Sequence, residues 1–164
     1  MSLKQNIISE DKAFLQMARI CSRKEYSPFD ISQRLHRLGF ADEVIEQIII
    51  KLKNENYINE ERFVRSFVND KLRFNGWGVK KIEMHLRYKQ LSQSIIDEVF
   101  SEYSDEELNS ALQSILERKW KQVKGESKYE KKGKLIKYAL GKGFKMDDII
   151  SCVNRLNLED NDII

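Results

Sequence analysis

Two glycines flank a tryptophan just before a basic segment: Gly76-Trp77-Gly78 is followed by Val79-Lys80-Lys81-Ile82. Glycines ahead of a helix could present backbone N–H groups to a phosphate. The segment lacks the Gly-x-x-x-x-Gly-Lys-Ser/Thr spacing of a nucleotide-binding loop, however, and no predicted strand precedes it. We therefore favour a tight helix–helix turn in which Trp77 packs over the join.

The chain offers no combination of residues that predicts catalysis. His36 and His85 fall on predicted helices, with no Ser, Cys or His at a spacing that implies a site. The carboxylates lie where helices should begin, and no His/Asp/Glu cluster has metal-ligand spacing. Cys21 and Cys152 are isolated on predicted apolar faces, which indicates buried free thiols in a reducing cytoplasm. We expect a protein that is not an enzyme and that uses no metal or other cofactor.

Basic residues are the most distinctive chemical feature of the chain. Residues 62–89 carry eight bases against two acids, and residues 118–145 carry eleven against two, although the formal net charge is only +3. Such segregation suits an anionic partner, or one with alternating charge. The predicted contact residues for a partner protein or DNA are Arg73, Lys80, Lys81, Arg87, Lys128, Lys131, Lys132 and Lys134. For each of them, a simple solvated helix face is the alternative interpretation.

The elements that carry these residues recur along the chain. Seven apolar positions return as apolar positions 51 residues later: Ile31, Leu35, Phe40, Val44, Ile45, Ile48 and Ile49 correspond to Ile82, Leu86, Leu91, Ile95, Ile96, Val99 and Phe100. A weaker third copy follows after 53 residues, with Leu135, Ala139, Phe144, Ile149, Cys152 and Val153. The intervals are those of short amphipathic helices joined by tight turns. A period of this length predicts small structural units that bury one another's apolar faces.

Acidic pairs and capping residues divide each unit into three helices. We expect first helices at 9–23, 59–75 and 104–123, second helices at 28–38, 77–89 and 127–142, and third helices at 41–55, 92–103 and 145–156. The predicted N-caps are Ser9, Asn59, Ser92 and Ser104. The predicted left-handed helix terminators are Gly39, Gly76 and Gly143.

The predicted fold is therefore all-α, an elongated array of three tandem three-helix repeats. The repeats cover 9–57, 58–103 and, in diverged form, 104–157, and an acidic tail follows at 158–164. The longest apolar run, 44–50, is interrupted by Glu46 and Gln47, so no segment is expected to span a membrane. The first residues lack the apolar core of a signal peptide. We expect a cytoplasmic monomer.

Two stretches resemble the RecX family of regulatory proteins. One is Tyr57 to Lys71 (YINEERFVRSFVNDK), followed by Gly76-Trp77-Gly78-Val79-Lys80-Lys81-Ile82 and Leu86. The other is Ser22 to Ser27 (SRKEYS), followed by Leu35, Gly39 and Phe40. The resemblance covers residues 13–103 well and the third repeat in outline. That family is built from tandem three-helix repeats, in agreement with the period of the sequence.

The resemblance implies a non-enzymatic regulator of the bacterial recombinase RecA, active in homologous recombination, DNA repair and the SOS response. RecX proteins bind the RecA–DNA nucleoprotein filament, lie along its groove, and typically suppress its ATPase, strand-exchange and co-protease activities. Contact with DNA within or beside the filament is a further expectation. The residues alone leave two alternatives: a helical module that binds nucleic acid directly without RecA, with a steep dependence on salt, and a purely structural adaptor.

Overall fold

The computed structural model describes residues 8–156 and Leu158. Within these residues the chain forms ten α-helices and one π-helical turn, and no β-strand. The predicted acidic tail lies outside the described residues except for Leu158, which is buried. The elements are α1 (Glu10–Cys21), α2 (Pro28–Arg37), α3 (Asp42–Asn54), α4 (Glu60–Asp70), the π-helical turn (Lys71–Asn75), α5 (Val79–Tyr88), α6 (Gln93–Ser101), α7 (Asp105–Leu108), α8 (Leu112–Trp120), α9 (Lys128–Gly141) and α10 (Met146–Arg155).

The helices build three apolar cores in succession. We refer to α1–α3 as repeat 1, to α4–α6 with the π-helical turn as repeat 2, and to α7–α10 as repeat 3. Each repeat has its own cluster of buried side chains, and the helix pairs that pack most extensively lie within one repeat. Six side chains predicted to form the shared core are each at most 5% exposed: Ile31, Leu35, Ile45, Ile82, Leu86 and Ile96. The all-α fold of tandem three-helix repeats is confirmed.

Local signals set where the helices begin and end. The four predicted N-caps each accept a hydrogen bond from a backbone N–H three residues ahead, as expected for capping side chains: Ser9, Asn59, Ser92 and Ser104. Ser27 adds a reciprocal capping box with Asp30, and Pro28 occupies the first position of α2. The three predicted glycine terminators have φ values of 90°, 63° and 100° at Gly39, Gly76 and Gly143.

The predicted single helix at 104–123 is wrong, because the chain bends at residues 109–111 and forms two helices. Leu108, at the end of α7, packs against the core of repeat 2. Leu112, at the start of α8, is buried in the core of repeat 3. The bend contains two i→i+3 hydrogen bonds, from the N–H of Ser110 to Glu107 and from that of Leu112 to Asn109. The segment 105–120 thus packs against the cores of both repeats, with the bend directing its two parts to different cores.

Candidate functional site

The Gly76-Trp77-Gly78 turn ends one helix and starts the next. Gly76 closes the π-helical turn in the left-handed conformation, and the N–H of Trp77 donates to the carbonyl of Lys71 at 3.1 Å. The half-buried ring of Trp77 lies against the imidazole of His85, with 4.6 Å between ring centroids. The turn interpretation is therefore correct, with the tryptophan packed over α5.

The turn also joins repeat 2 to repeat 3. The N–H of Gly78 donates to the carbonyl of Lys142 at 2.8 Å, and the N–H of Lys80 donates to the carbonyl of Gly143 at 3.0 Å. A Cβ atom on Gly78 would lie only 2.4 Å from the carbonyl carbon of Gly143. These two amides at the start of α5 are thus occupied by main-chain carbonyls, and Gly78 is required for close approach of the backbones. The turn is a joint between repeats.

Replacement of Gly76 by Ala should destabilise the fold by roughly 1 kcal/mol, because φ at this residue is +63°. Urea denaturation measures this change, and Gly141→Ala on α9 is the control, since an added Cβ there meets no atom within 4 Å. Any loss of regulation should follow the loss of folded protein. Normal stability combined with lost partner binding would show instead that the turn contacts the partner.

The central predicted contact residues do not share one surface. Lys80 and Arg87 are exposed on α5 and line a shallow depression together with Glu83 and Met84. Arg73 is exposed on the π-helical turn. Lys81 is half-buried, with its ammonium group 4.5 Å from the centroid of the Trp77 ring. Lys81 therefore supports the joint, whereas the other three cations face solvent.

Ion pairing neutralises several other bases of the same segment. Arg65 pairs with Glu61 at 2.8 Å and with Glu102 at 2.6 Å, and Arg62 pairs with Glu25. Lys89 pairs with Asp30 at 2.6 Å. Within residues 8–156, by contrast, no carboxylate lies within 4.0 Å of the charged groups of Arg73, Lys80, Lys81 or Arg87. The predicted contact residues of repeat 2 are thus cations that have no ion-pair partner within the described residues.

The Asp30–Lys89 pair links repeat 1 to repeat 2. Burial opposes ionisation of Asp30, but hydrogen bonds from Lys89 and from the backbone and hydroxyl of Ser27 outweigh it and lower the pKa of this carboxyl. Asp30 is therefore charged at neutral pH. Its carboxylate accepts a hydrogen bond from the N–H of Ser27 at the start of α2 and another from Lys89 of repeat 2.

The prediction that Lys131 belongs to an exposed binding face is wrong. Its side chain is only 4% exposed, and its ammonium group lies 5.2 Å from the centroid of the Trp120 ring. Lys131 lies four residues before Leu135 and eight before Ala139, which are both buried, and so on the same face of α9. Its aliphatic stem therefore continues the apolar face of this helix. Trp120 is 5% exposed and is thus a packing anchor, whereas Tyr129 is 89% exposed.

The remaining lysines of α9 lie away from the joint. Lys128 is exposed and Lys132 is half-buried, while Lys134 donates to the carbonyl of Lys124 at 2.6 Å and lies 3.5 Å from Glu130. Because α9 meets α5 at its C-terminal end, a rise of 1.5 Å per residue places Lys134 about 10 Å and Lys128 about 20 Å along the helix from that end. The predicted contact residues of α9 are therefore separated in space from those of repeat 2.

Burial shifts the pKa values of both cysteine thiols and of the His85 imidazole. Burial raises the pKa of the Cys21 thiol to about 11 and also raises that of Cys152. Burial, together with Lys81, Lys71 and Lys89, lowers the pKa of His85. In residues 8–156 and 158 no group of three or more His, Cys, Asp or Glu side chains could hold a metal ion. None of the helices in this part of the chain is long and apolar enough to cross a bilayer.

Sequence reasoning missed a cleft of about 630 Å³ between repeats 2 and 3, which we call the second cleft. Four cations and two aromatic rings line it: Arg73, Arg118, Lys119, Lys142, Phe74 and Tyr138. Only Arg73 among them was a predicted contact residue. Arg118 and Lys142 lie far from Arg73 in the sequence and line the same cleft because repeats 2 and 3 pack together, with Gly78 beside Gly143 and Gly76 beside Ile115. The one local signal was Phe74, an aromatic residue in a polar, basic stretch.

Comparison with known proteins relates the chain to one family. The model of the second three-helix domain of RecX matches residues 59–99, and that of the third matches residues 105–153. The regulatory protein RecX of Prosthecochloris aestuarii is 30% identical over 135 residues, which cover 81% of this chain and 85% of that protein. The regulatory protein RecX of Haemophilus influenzae (strain PittEE) is 27% identical over 144 residues, 87% of this chain and 93% of the relative.

Solved structures share the fold. A crystal structure of a regulatory protein RecX superposes with a TM-score of 0.80 at 20% identity, over 89% of this chain and 72% of that one. The crystal structure of RecX from Lactobacillus salivarius gives a TM-score of 0.76 at 22% identity, over 92% and 97% of the two chains. The family models, the identity to the Prosthecochloris protein and the common fold agree, and the chain belongs to the RecX family.

Proposed function

We propose that this protein binds the RecA–DNA nucleoprotein filament and lowers the ATPase, strand-exchange and co-protease activities of RecA. The observation that carries the proposal is the 30% identity to a relative named as a regulatory protein RecX, over 85% of that relative. The protein would thereby act in recombination, DNA repair and the SOS response. We propose a monomer in the bacterial cytoplasm as the acting form, which suits its two buried free thiols.

The surface of α5 supports this proposal. Lys80, Met84 and Arg87 follow one another at steps of four and three residues, which places them on one face of the helix. Met84 is 60% exposed, so an apolar group lies between two cations that have no carboxylate partner within the described residues. Such a mixed surface suits a protein partner with acidic and apolar groups. Regulation would follow from occupying the filament rather than from chemistry.

The direct experiment measures the DNA-dependent ATPase of RecA against increasing concentrations of this protein. We expect ATP hydrolysis to fall as the protein is added, and to fall at concentrations at which the protein sediments with the filament. Unchanged hydrolysis together with no sedimentation would contradict the proposal. Tight binding to bare DNA together with no effect on ATP hydrolysis by RecA would favour the alternative, a direct nucleic-acid-binding module.

Reversal of charge at Lys80 and Arg87, as Lys80→Glu with Arg87→Glu, should weaken filament binding about tenfold at low salt. The effect should shrink as salt screens the charges. Helix content and melting should change little, because exposed charges contribute little to stability. Binding to bare DNA should change only slightly if the α5 face contacts protein. Filament binding and bare-DNA binding are measured by fluorescence anisotropy over a salt series.

The matched control is Lys12→Glu with Arg19→Glu on α1, where two exposed bases have the same spacing of seven residues. This control makes the same change in net charge and should bind the filament more tightly than the α5 variant does. Equal losses on bare DNA and on filaments would support the nucleic-acid module instead. No loss in either assay would mean that Lys80 and Arg87 form an ordinary solvated face.

A further inference from the structure

The two clefts between repeats differ in charge compensation. The first cleft, about 540 Å³ between repeats 1 and 2, includes three carboxylates among its lining residues: Glu25, Asp30 and Asp70. Two of them form ion pairs with bases of repeat 2. The second cleft has no Asp or Glu among its lining residues. Positive charge is thus partly compensated in the first cleft, where five basic residues face three acids, and uncompensated in the second.

The cations of the second cleft contact neutral groups. The ammonium of Lys142 donates to the carbonyl of Asn75 at 3.2 Å, and Nε of Arg118 donates to the carbonyl of Ser114 at 3.4 Å. The ammonium of Lys119 lies 4.5 Å from the centroid of the Tyr138 ring. Within residues 8–156 no carboxylate lies within 4.0 Å of the charged groups of these three residues or of Arg73. Their positions are held, but their charges remain available to an anion.

Phe74 gives the second cleft an aromatic surface. It lies in the π-helical turn and is 80% exposed, whereas its neighbour Leu72 is 7% exposed in the core of repeat 2. A phenyl ring this exposed contributes little burial free energy to the fold. π-helical turns are frequent at functional sites. Phe74 is therefore placed for a flat ligand rather than for packing.

We propose that the second cleft binds single-stranded DNA, with phosphates against Arg73, Arg118, Lys119 and Lys142 and a base stacked on Phe74. Single-strand binding sites combine these two features, a basic groove and an aromatic surface for the bases. A duplex keeps its bases stacked on one another and offers none to Phe74. The inference deepens the proposed function, since the filament is the source of the strand, and it names the part of the protein that reaches the DNA.

An acidic peptide is the competing ligand. It would satisfy the four cations equally well, but its carboxylates give no reason for an exposed phenyl ring beside them.

The stacking contact and the phosphate contacts can be separated experimentally, because only the phosphate contacts release counterions and depend on salt.

The stacking contact is tested with Phe74→Ala and a labelled oligothymidylate, by fluorescence anisotropy on the full chain without RecA. We expect binding to weaken by roughly fivefold or more, the effect of losing one base–aromatic stack. The dependence of affinity on salt should not change. Phe74→Tyr, which keeps an aromatic ring, should restore binding. Tyr129→Ala is the matched control, because Tyr129 is 89% exposed and is not among the residues lining the cleft.

The phosphate contacts are tested with Arg118→Gln over a series of salt concentrations. Loss of one phosphate contact should reduce the slope of log affinity against log salt by about 0.7. Arg19→Gln, at an exposed arginine of α1, should leave the slope unchanged. Circular dichroism verifies that each variant is folded.

Three results would overturn the inference: no binding of the oligonucleotide to the unaltered protein, unchanged affinity of Phe74→Ala, or equal displacement of the oligonucleotide by polyglutamate, which would indicate an acidic peptide site. None of these bears on the RecA ATPase measurement, so the proposed function would stand. Conversely, oligonucleotide binding without any effect on RecA would overturn the proposed function and leave the cleft assignment in place.

Discussion

Replacement of Leu86 by Ala is expected to lower the free energy of unfolding by about 2–5 kcal/mol. Leu86 has no exposed surface and lies in the core of repeat 2, at the position that Leu35 occupies in repeat 1. Truncation there removes apolar contacts and leaves a cavity that rigid neighbouring helices fill only partly. Urea denaturation followed by circular dichroism gives the value.

Met84→Ala is the matched control for Leu86→Ala, because Met84 lies on the same helix and is 60% exposed. Its effect should stay within about 0.5 kcal/mol. If the Leu86 and Met84 variants were equally stable, the 51-residue repeat would not define the core, and the assignment of the buried face of α5 would be wrong.

Replacement of Gly78 by Ala should lower the free energy of unfolding by at least about 2 kcal/mol, through a backbone clash instead of a cavity. The added Cβ would lie 2.4 Å from the carbonyl carbon of Gly143 and 2.5 Å from the backbone nitrogen of Phe144. Since both are backbone atoms, the clash cannot be relieved by a side-chain rotation. The joint must open, and the hydrogen bonds from Gly78 to Lys142 and from Lys80 to Gly143 are lost with it.

Gly133→Ala is the control for Gly78→Ala, since an added Cβ at Gly133 meets no atom within 4 Å. This control should stabilise α9 by roughly 0.5–1 kcal/mol, because alanine is the better helix former. Gly78→Ala should also separate the unfolding of repeat 3 from that of repeat 2, and amide exchange at Lys80 should accelerate. Unchanged exchange at Lys80 would show that the joint tolerates a side chain.

Features within a repeat could be predicted because they depend on residues close in sequence. The apolar spacing that marks Ile82, Leu86 and Ile96 is a helical period, and it reports the buried face directly. Ser104 and Gly143 act on backbone groups a few residues away, so their roles also follow from local order. The repeat at 51 residues then indicates that the same unit recurs.

Features between repeats could not be predicted, because no periodicity records how two units meet. The contact of Gly78 with Gly143 depends on the path of the chain between them, including the bend at 109–111 that the apolar pattern did not reveal. The second cleft forms where repeats 2 and 3 pack together. At Lys131 the charge predicts exposure, whereas the spacing of four residues from Leu135 on the buried face of α9 predicts burial, as the structure has it.

The two joints of this array differ in kind. Repeats 2 and 3 are joined by main-chain hydrogen bonds. Repeats 1 and 2 meet through the ion pairs Glu25–Arg62, Asp30–Lys89 and Lys53–Glu60 and the ring contact of Phe29 with Tyr88. Mobile ions weaken exposed ion pairs but not main-chain bonds. The joint between repeats 1 and 2 is therefore expected to be the more sensitive of the two to salt, chiefly through its exposed Lys53–Glu60 pair.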